Sequence, residues 1–166
     1  MNPAHTVVKV GIADLNVLAG EGVLKTTGLG SCVGLTLFDK NAQVGGMAHI
    51  MLPDSRIARE GALNKAKFAD TAIPELISRM EKLGASVRRM VAKMAGGAQM
   101  FAAGPNMAEW MRIGPRNVEM CRAMLSDLRI PIAAEDTGGN IGRTIELCCA
   151  TGVLTVRSVN QGVKEL

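Results

Sequence analysis

Cys32-Val33-Gly34-Leu35-Thr36-Leu37-Phe38, Asp39-Lys40-Asn41-Ala42, Gln43-Val44-Gly45-Gly46-Met47-Ala48-His49-Ile50 is the stretch on which the fold turns. Two runs rich in strand-forming residues flank four turn-forming ones, which is the pattern of a β-hairpin. A four-residue loop over Asp39–Ala42 predicts Phe38 opposite Gln43, and that register carries Cys32 opposite His49. Directly opposed residues share a face of the sheet with Cβ atoms roughly 4.5–5.5 Å apart, so a thiol and an imidazole would meet. A slip of one residue would send the histidine to the other face.

The residues before the hairpin, Thr26-Thr27-Gly28-Leu29-Gly30-Ser31, form a glycine-rich turn at whose mouth the thiol stands. A histidine can take the proton of a cysteine and leave a nucleophilic thiolate, serving as base first and acid later. Such an imidazole needs a third group to hold its ring, and Thr26 or Thr27 could supply the hydroxyl. The glycines at 28 and 30 allow amide N–H groups near Ser31 and Cys32 to point at a developing oxyanion. The reaction class is acyl transfer. The competing reading is that Cys32 is a small buried hydrophobe and His49 a satisfied core residue.

Further along, Thr6–Ile12 reads as a first strand, with Val17-Leu18 and Val23-Leu24 as short strands or turns. Pro53 ends the hairpin, and residues 54–66 read as an exposed loop. Apolar residues from Ala69 to Leu83 recur at helical spacing, predicting a helix over about 67–83 that Pro74 either opens in its first turn or kinks. Val87–Ala95 reads as a strand leading into Gly96-Gly97-Ala98-Gln99, where Gly97 and Gln99 are candidates to line a pocket. A surface loop is expected over 102–114, then a second amphipathic helix over Pro115–Leu128 with Cys121 on its apolar stripe. Ile130–Glu135 reads as a strand, Asp136–Arg143 as a turn, and Thr144–Cys149 with Val153–Val159 as a second hairpin. The fold expected is α/β of the α+β type: a single domain over 1–166, a largely antiparallel sheet or sandwich with two main helices packed on it.

Composition bounds the function. Hydrophobic residues at 48% and charged ones at 20% are globular figures. No apolar run reaches the roughly 20 residues of a membrane span, and Met1–Thr6 lacks the regions of a signal peptide, so a cytoplasmic protein that is not membrane-inserted is expected. Four cysteines without a CxxC pair, and two histidines, give no metal-ligand spacing; neither metal nor cofactor is expected. Cys148 and Cys149 are neighbours on a strand and read as structural. The net charge of +4 suits an acidic partner, but with no tyrosine, one tryptophan and three phenylalanines a nucleic-acid stacking surface is not expected.

The runs TTGLGSCVGLTLFD, GGMAHIMLPDS, KFADTAIPEL, GGAQMF, GPRN and AEDTGGN, in that order, resemble the chemoreceptor glutamine deamidase family, CheD, of bacterial chemotaxis. The GLGSC and AHIMLP blocks are specific to it. The resemblance implies a β-sandwich flanked by helices and a cysteine, histidine and threonine triad, which falls by motif on Cys32, His49 and Thr26; the six-residue offset selects Thr26 over Thr27. It implies hydrolysis of glutamine side-chain amides on methyl-accepting chemoreceptors, with receptor methyl esters as further substrates. Gly30, Ser31, Gly97 and Gln99 are the oxyanion and substrate-binding candidates. It also implies binding to the phosphatase CheC, so that an adaptor role is the alternative, with the methionine-rich 94–124 region as its sequence support; Met94, Met100, Met107 and Met111 read either as fillers of core gaps or as a partner surface, the core reading being preferred. A cysteine peptidase is a third reading.

Overall fold

The computed structural model describes residues 6–58, 63–100 and 112–166. Two five-stranded sheets lie face to face, and two helices cover the outer face of the second. The first sheet has β1 (Val7–Lys9), β3 (Val23–Leu29), β8 (Arg143–Cys148), β9 (Leu154–Ser158) and β10 (Gly162–Glu165), in that spatial order. The second runs β2 (Leu15–Ala19), β5 (Val44–Ile50), β4 (Val33–Asp39), β6 (Met90–Gly96), β7 (Ile132–Thr137). Helices α1 (Ala69–Lys82) and α2 (Ile113–Asp127) complete the α+β fold that the sequence predicts. The described part of the expected 54–66 loop holds short 3-10 turns at Ser55–Ile57 and Lys65–Lys67.

Because the second sheet is the middle layer, β4 and β5 are buried on both faces and read as continuous apolar runs rather than as an alternation. One core, with Leu24, Leu29, Met47, Ile145, Leu147 and Val156, fills the space between the sheets. A second, with Leu35, Leu37, Ile50, Ile73, Leu76 and Met80, fills the space between sheet and helices. Gly34 on β4 is what lets the sheets approach: a Cβ there would lie 2.4 Å from Ile145 Cδ1 and 2.9 Å from Leu29 Cδ1.

The hairpin forms, in a different register from the one predicted. Asp39 pairs with Val44 and Phe38 with Gly45, so the loop is Lys40–Gln43 and His49 faces Gly34 instead of Cys32. The Asp39 side chain explains the shift. Its Oδ1 accepts from the amides of Asn41 (3.0 Å) and Ala42 (3.2 Å), capping the turn from a position still inside the strand. Its Oδ2 accepts from the Ser86 amide (2.8 Å), and Arg89 is ion-paired to it. Gln43, taken as the first strand residue, instead closes the loop in the left-handed region with φ 51°. The offset moves the pairing by two places, so the face is preserved.

Other boundaries differ in instructive ways. The first strand is limited to Val7–Lys9, while β3 extends through Thr26, Thr27 and Gly28 to Leu29, absorbing much of the expected turn; its pairing with β8 shifts between Thr26 and Leu29. α1 starts at Ala69, which places Pro74 beyond the first turn on the exposed side, and Leu83 falls outside the helix and is exposed. Val87–Arg89 is a 3-10 turn before β6, and the strand expected at Ile130 begins at Ile132. β6 and β7, joined through α2, are parallel, and β1 and β3, with β2 between them in the chain, are parallel too; all other strand pairs are antiparallel. β10 had no counterpart in the sequence reading.

Candidate active site

Thr26 on β3 and His49 on β5 belong to different sheets and meet across the inter-sheet core. Thr26 Oγ1 lies 2.7 Å from His49 Nδ1 and donates to the Val10 carbonyl at 2.6 Å. A hydroxyl has one proton, and with that proton on Val10 the Thr26 oxygen can only accept. The hydrogen-bond network therefore assigns the proton of the neutral ring to Nδ1 and leaves Nε2 as a lone-pair acceptor. That Nε2 is buried and meets no protein donor among the described residues. The histidine is itself held by its backbone, which exchanges bonds with Asp14 (2.9 Å) and Ala13 (3.1 Å) on the β2 side. Thr27, the other threonine considered, is exposed.

Burial pushes His49 down to about 4 from an ordinary 6.5, since nothing repays the loss of water around an imidazolium. The ring is neutral at physiological pH.

Cys32 lies immediately before β4, two residues from Gly34, and packs half-buried against the inter-sheet core. It is thus on the side of the sheet where His49 meets Thr26, as a diagonal rather than a direct neighbour. In a regular ladder diagonal positions are about 7–8 Å apart and within reach of longer side chains. Burial raises the Cys32 thiol, while its own backbone amide favours the thiolate. The proton is on sulfur at rest.

The loop that carries Cys32 is pinned at three consecutive carbonyls. Gly30 O accepts from Ala98 N (2.9 Å), Cys32 O from Gly97 N (2.8 Å), and Ser31 O from the Asn117 side chain (3.0 Å). The first two donors come from the segment after β6, where Gly96 and Gly97 take φ 105° and 62°. A Cβ at Gly96 would stand 2.3 Å from the Cys32 carbonyl oxygen, and one at Gly97 would stand 2.2 Å from Val118 on α2, so neither position admits a side chain. Gly97 accordingly does not line the pocket and its amide is committed to Cys32.

A cavity of about 500 Å³ opens at the thiol, lined by Gly28, Gly30, Ser31 and Cys32 on one side, Met51 and Leu52 on a second, and Ala98, Gln99, Met100, Ile113 and Gly114 on the third. Of the four oxyanion and substrate-binding candidates, Gly30, Ser31 and Gln99 line this cavity. Among the described lining residues, Cys32 carries the sole ionisable side chain. Of the methionines read as core fillers or partner surface, Met94 is core and Met100 is exposed at the cavity; Met107 and Met111, with the Gly104–Asn106 and Trp110 part of the expected loop, lie outside the described residues.

All four cysteines are free. Burial takes Cys121 and Cys149 up to about 12, as core thiols. Cys148 is the one drawn downward, by the Thr151 hydroxyl and turn amides. What distinguishes Cys32 is a cavity, and a histidine on the same side of the sheet, rather than an acidic thiol. Asn117 was missed by the sequence reading. Its signal was there: it sits on the buried stripe of α2 with Gly114, Val118, Cys121 and Leu125.

The family model described as CheD chemotactic sensory transduction matches residues 51–158, from just beyond His49 to the end of β9. Relatives extend the likeness over Thr26, Cys32 and His49. The chain is 53% identical over 162 residues to the chemoreceptor glutamine deamidase CheD of Halalkalibacterium halodurans, covering 98% of this chain and 99% of that protein. It is 45% identical over 160 residues to the chemoreceptor glutamine deamidase CheD of Bacillus subtilis, covering 96% of each. To that of Bacillus velezensis it is 47% identical over 156 residues, covering 94% and 93%.

Proposed function

The chain belongs to the CheD family of chemotactic sensory transduction, and on that premise we propose that it hydrolyses side-chain amides of glutamines on methyl-accepting chemoreceptors, with Cys32 as nucleophile, His49 as acid and base, and Thr26 as the group that orients His49. The observation that carries the assignment is the bare Nε2 of His49, with Nδ1 committed to Thr26, on the same side of the sheet as a half-buried thiol at a cavity.

Both partners start neutral, so the proton moves as the bond forms. Cys32 Sγ attacks the amide carbon while its proton passes to His49 Nε2. The oxyanion forms beside the Cys32 amide N–H, which also favours the sulfur anion. His49 then gives the Nε2 proton to the leaving nitrogen and ammonia departs, leaving a thioester. Water loses a proton to Nε2 and attacks the thioester; collapse returns that proton to sulfur and frees the glutamate. A receptor methyl ester enters the same sequence with methanol as leaving group. Thr26 holds the ring through its cationic phase, accepting from Nδ1–H throughout.

The test incubates a chemoreceptor cytoplasmic fragment with wild-type protein and with Cys32→Ala, followed by peptide mass mapping. Glutamine-to-glutamate conversion by wild type alone is the expected result. If both proteins bind the fragment or CheC and neither alters the fragment, the protein is an adaptor and the thiol is core; cleaved peptide bonds would make it a peptidase.

A further inference from the structure

The Ser31–Cys32 peptide is trans, so its C=O and N–H point in opposite directions. Whatever holds the Ser31 carbonyl therefore aims the Cys32 amide. The holder is Asn117, fully buried on α2, whose Nδ2 donates to Ser31 O at 3.0 Å and to Met51 O at 3.0 Å. Ser31 precedes the thiol and Met51 follows His49 by two residues, so one amide group ties together the two segments that carry the reacting side chains.

We infer that Asn117 is a positioning residue of the reaction: by fixing the Ser31 carbonyl behind the loop it turns the Cys32 N–H toward the oxyanion, and by holding Met51 it fixes that donor relative to His49. This rests on the deamidase reading given above. Three features support it. Two carbonyl acceptors facing one side chain require two donors on one short, neutral, planar group, which describes the asparagine amide and excludes aspartate, whose oxygens would face oxygens. The flanking carbonyls of Gly30 and Cys32 are held separately by Ala98 and Gly97, so among the described residues the Ser31 peptide is the one plane of the loop that depends on a side chain. Asn117 Oδ1 is buried without a protein partner among the described residues, so the side chain is placed for its donors at the expense of its acceptor.

A group that merely braces the fold and one that aims an oxyanion donor are separated by comparing two reactions of the same thiol. Deamidation passes through an oxyanion; alkylation by iodoacetamide is a direct displacement at carbon and does not. Asn117→Ala, and Asn117→Ser as a smaller perturbation that keeps one donor, are measured for deamidation of the receptor fragment and for Cys32 alkylation at pH 7, read by peptide mapping so that Cys148 is counted apart. The expected result for Asn117→Ala is a kcat lower by about 100-fold, the cost of losing one oxyanion donor, with KM within about twofold and Cys32 alkylation within about fivefold of wild type. Asn117→Ser should fall between. Should deamidation and alkylation decline in parallel in Asn117→Ser, or should both stay at wild-type rates, the assignment is overturned while the deamidase reading stands. A wild-type protein that alkylates at Cys32 but never deamidates the fragment would overturn the deamidase reading, and this inference with it.

Discussion

The two halves of the site are built in opposite ways. His49 and Thr26 are side chains of regular strands, 0% and 2% exposed, one from each sheet, and their relation is set by how closely the sheets pack. Cys32 stands on a loop, half-buried, and is held by backbone and side-chain bonds from Gly97, Ala98 and Asn117. The rigid half controls the proton: burial keeps the imidazole neutral and a neighbouring hydroxyl chooses its tautomer. In the proposed mechanism the looped half controls the substrate carbonyl, by presenting sulfur and amide together at a cavity. Removing a group from the first half should alter pH dependence, and removing one from the second should alter the chemical step alone.

The largest effect is expected at the proposed nucleophile. Cys32→Ser exchanges a thiol for a hydroxyl that this neutral, desolvated base cannot ionise nearly as well, and kcat should fall by at least about 10⁴-fold. Binding of the receptor fragment, followed by titration calorimetry, should stay within about twofold.

Next comes the proposed base. His49→Gln should lower kcat by about 10³-fold. In the wild type, Nε2 can accept a proton only while the ring is neutral, so the acidic limb of kcat/KM should lie well below the ordinary 6.5, toward about 4. Activity would persist at pH 5.5, and a limb at or above 6.5 would contradict the burial argument. The same depression acts on stability. An unfolded chain takes up the proton near 6.5 while the native protein refuses it until about 4. The contribution is whole above 6.5 and is lost as pH falls through that window. Urea denaturation from pH 7 to 4.5 should show a decline that is smaller in His49→Gln.

In both halves local signals were legible in the sequence and long-range ones were not. The glycine-rich stretch, the hairpin and both helices stand out because their signals are local: turn residues, β-branched runs and a helical repeat of apolar positions. The register did not, because Asp39 reads equally well as the first loop residue or as a strand residue capping the loop, and only its bonds to Ser86 and Arg89, far along the chain, decide. Asn117 was hidden for a related reason. Its partners are main-chain carbonyls of Ser31 and Met51, which leave no mark on the residue types there. The parallel pairing of β6 with β7 also eluded a reading that looked for regular β/α alternation, since this is an isolated crossover beside hairpins.

How far the rigid half depends on sheet spacing can be measured with Gly34→Ala. A methyl group there would sit 2.4 Å from Ile145 Cδ1 and 2.9 Å from Leu29 Cδ1, so the sheets must part or both side chains must leave their rotamers. Overpacking of this kind costs about 1–3 kcal/mol, visible as a lower midpoint in denaturant with unchanged slope. Activity should fall only severalfold, because the strands themselves remain intact.

Thr26 gives the finest separation. Thr26→Val keeps the shape and removes the acceptor, leaving His49 Nδ1–H facing a methyl group and Val10 O without its donor. Two buried groups then lack partners, a loss of about 2 kcal/mol or more in stability. Nothing now favours the tautomer with Nε2 bare, so part of the histidine population presents a proton to the thiol instead of a lone pair, and kcat should drop by about 10- to 100-fold. Thr26→Ser restores one hydroxyl in the same place. It should return kcat to within about threefold of wild type while recovering less of the stability, because the lost methyl group leaves space in the inter-sheet core. If the serine variant is as slow as the valine variant, the threonine acts through packing, and orientation of the base must come from the His49 backbone bonds to Ala13 and Asp14.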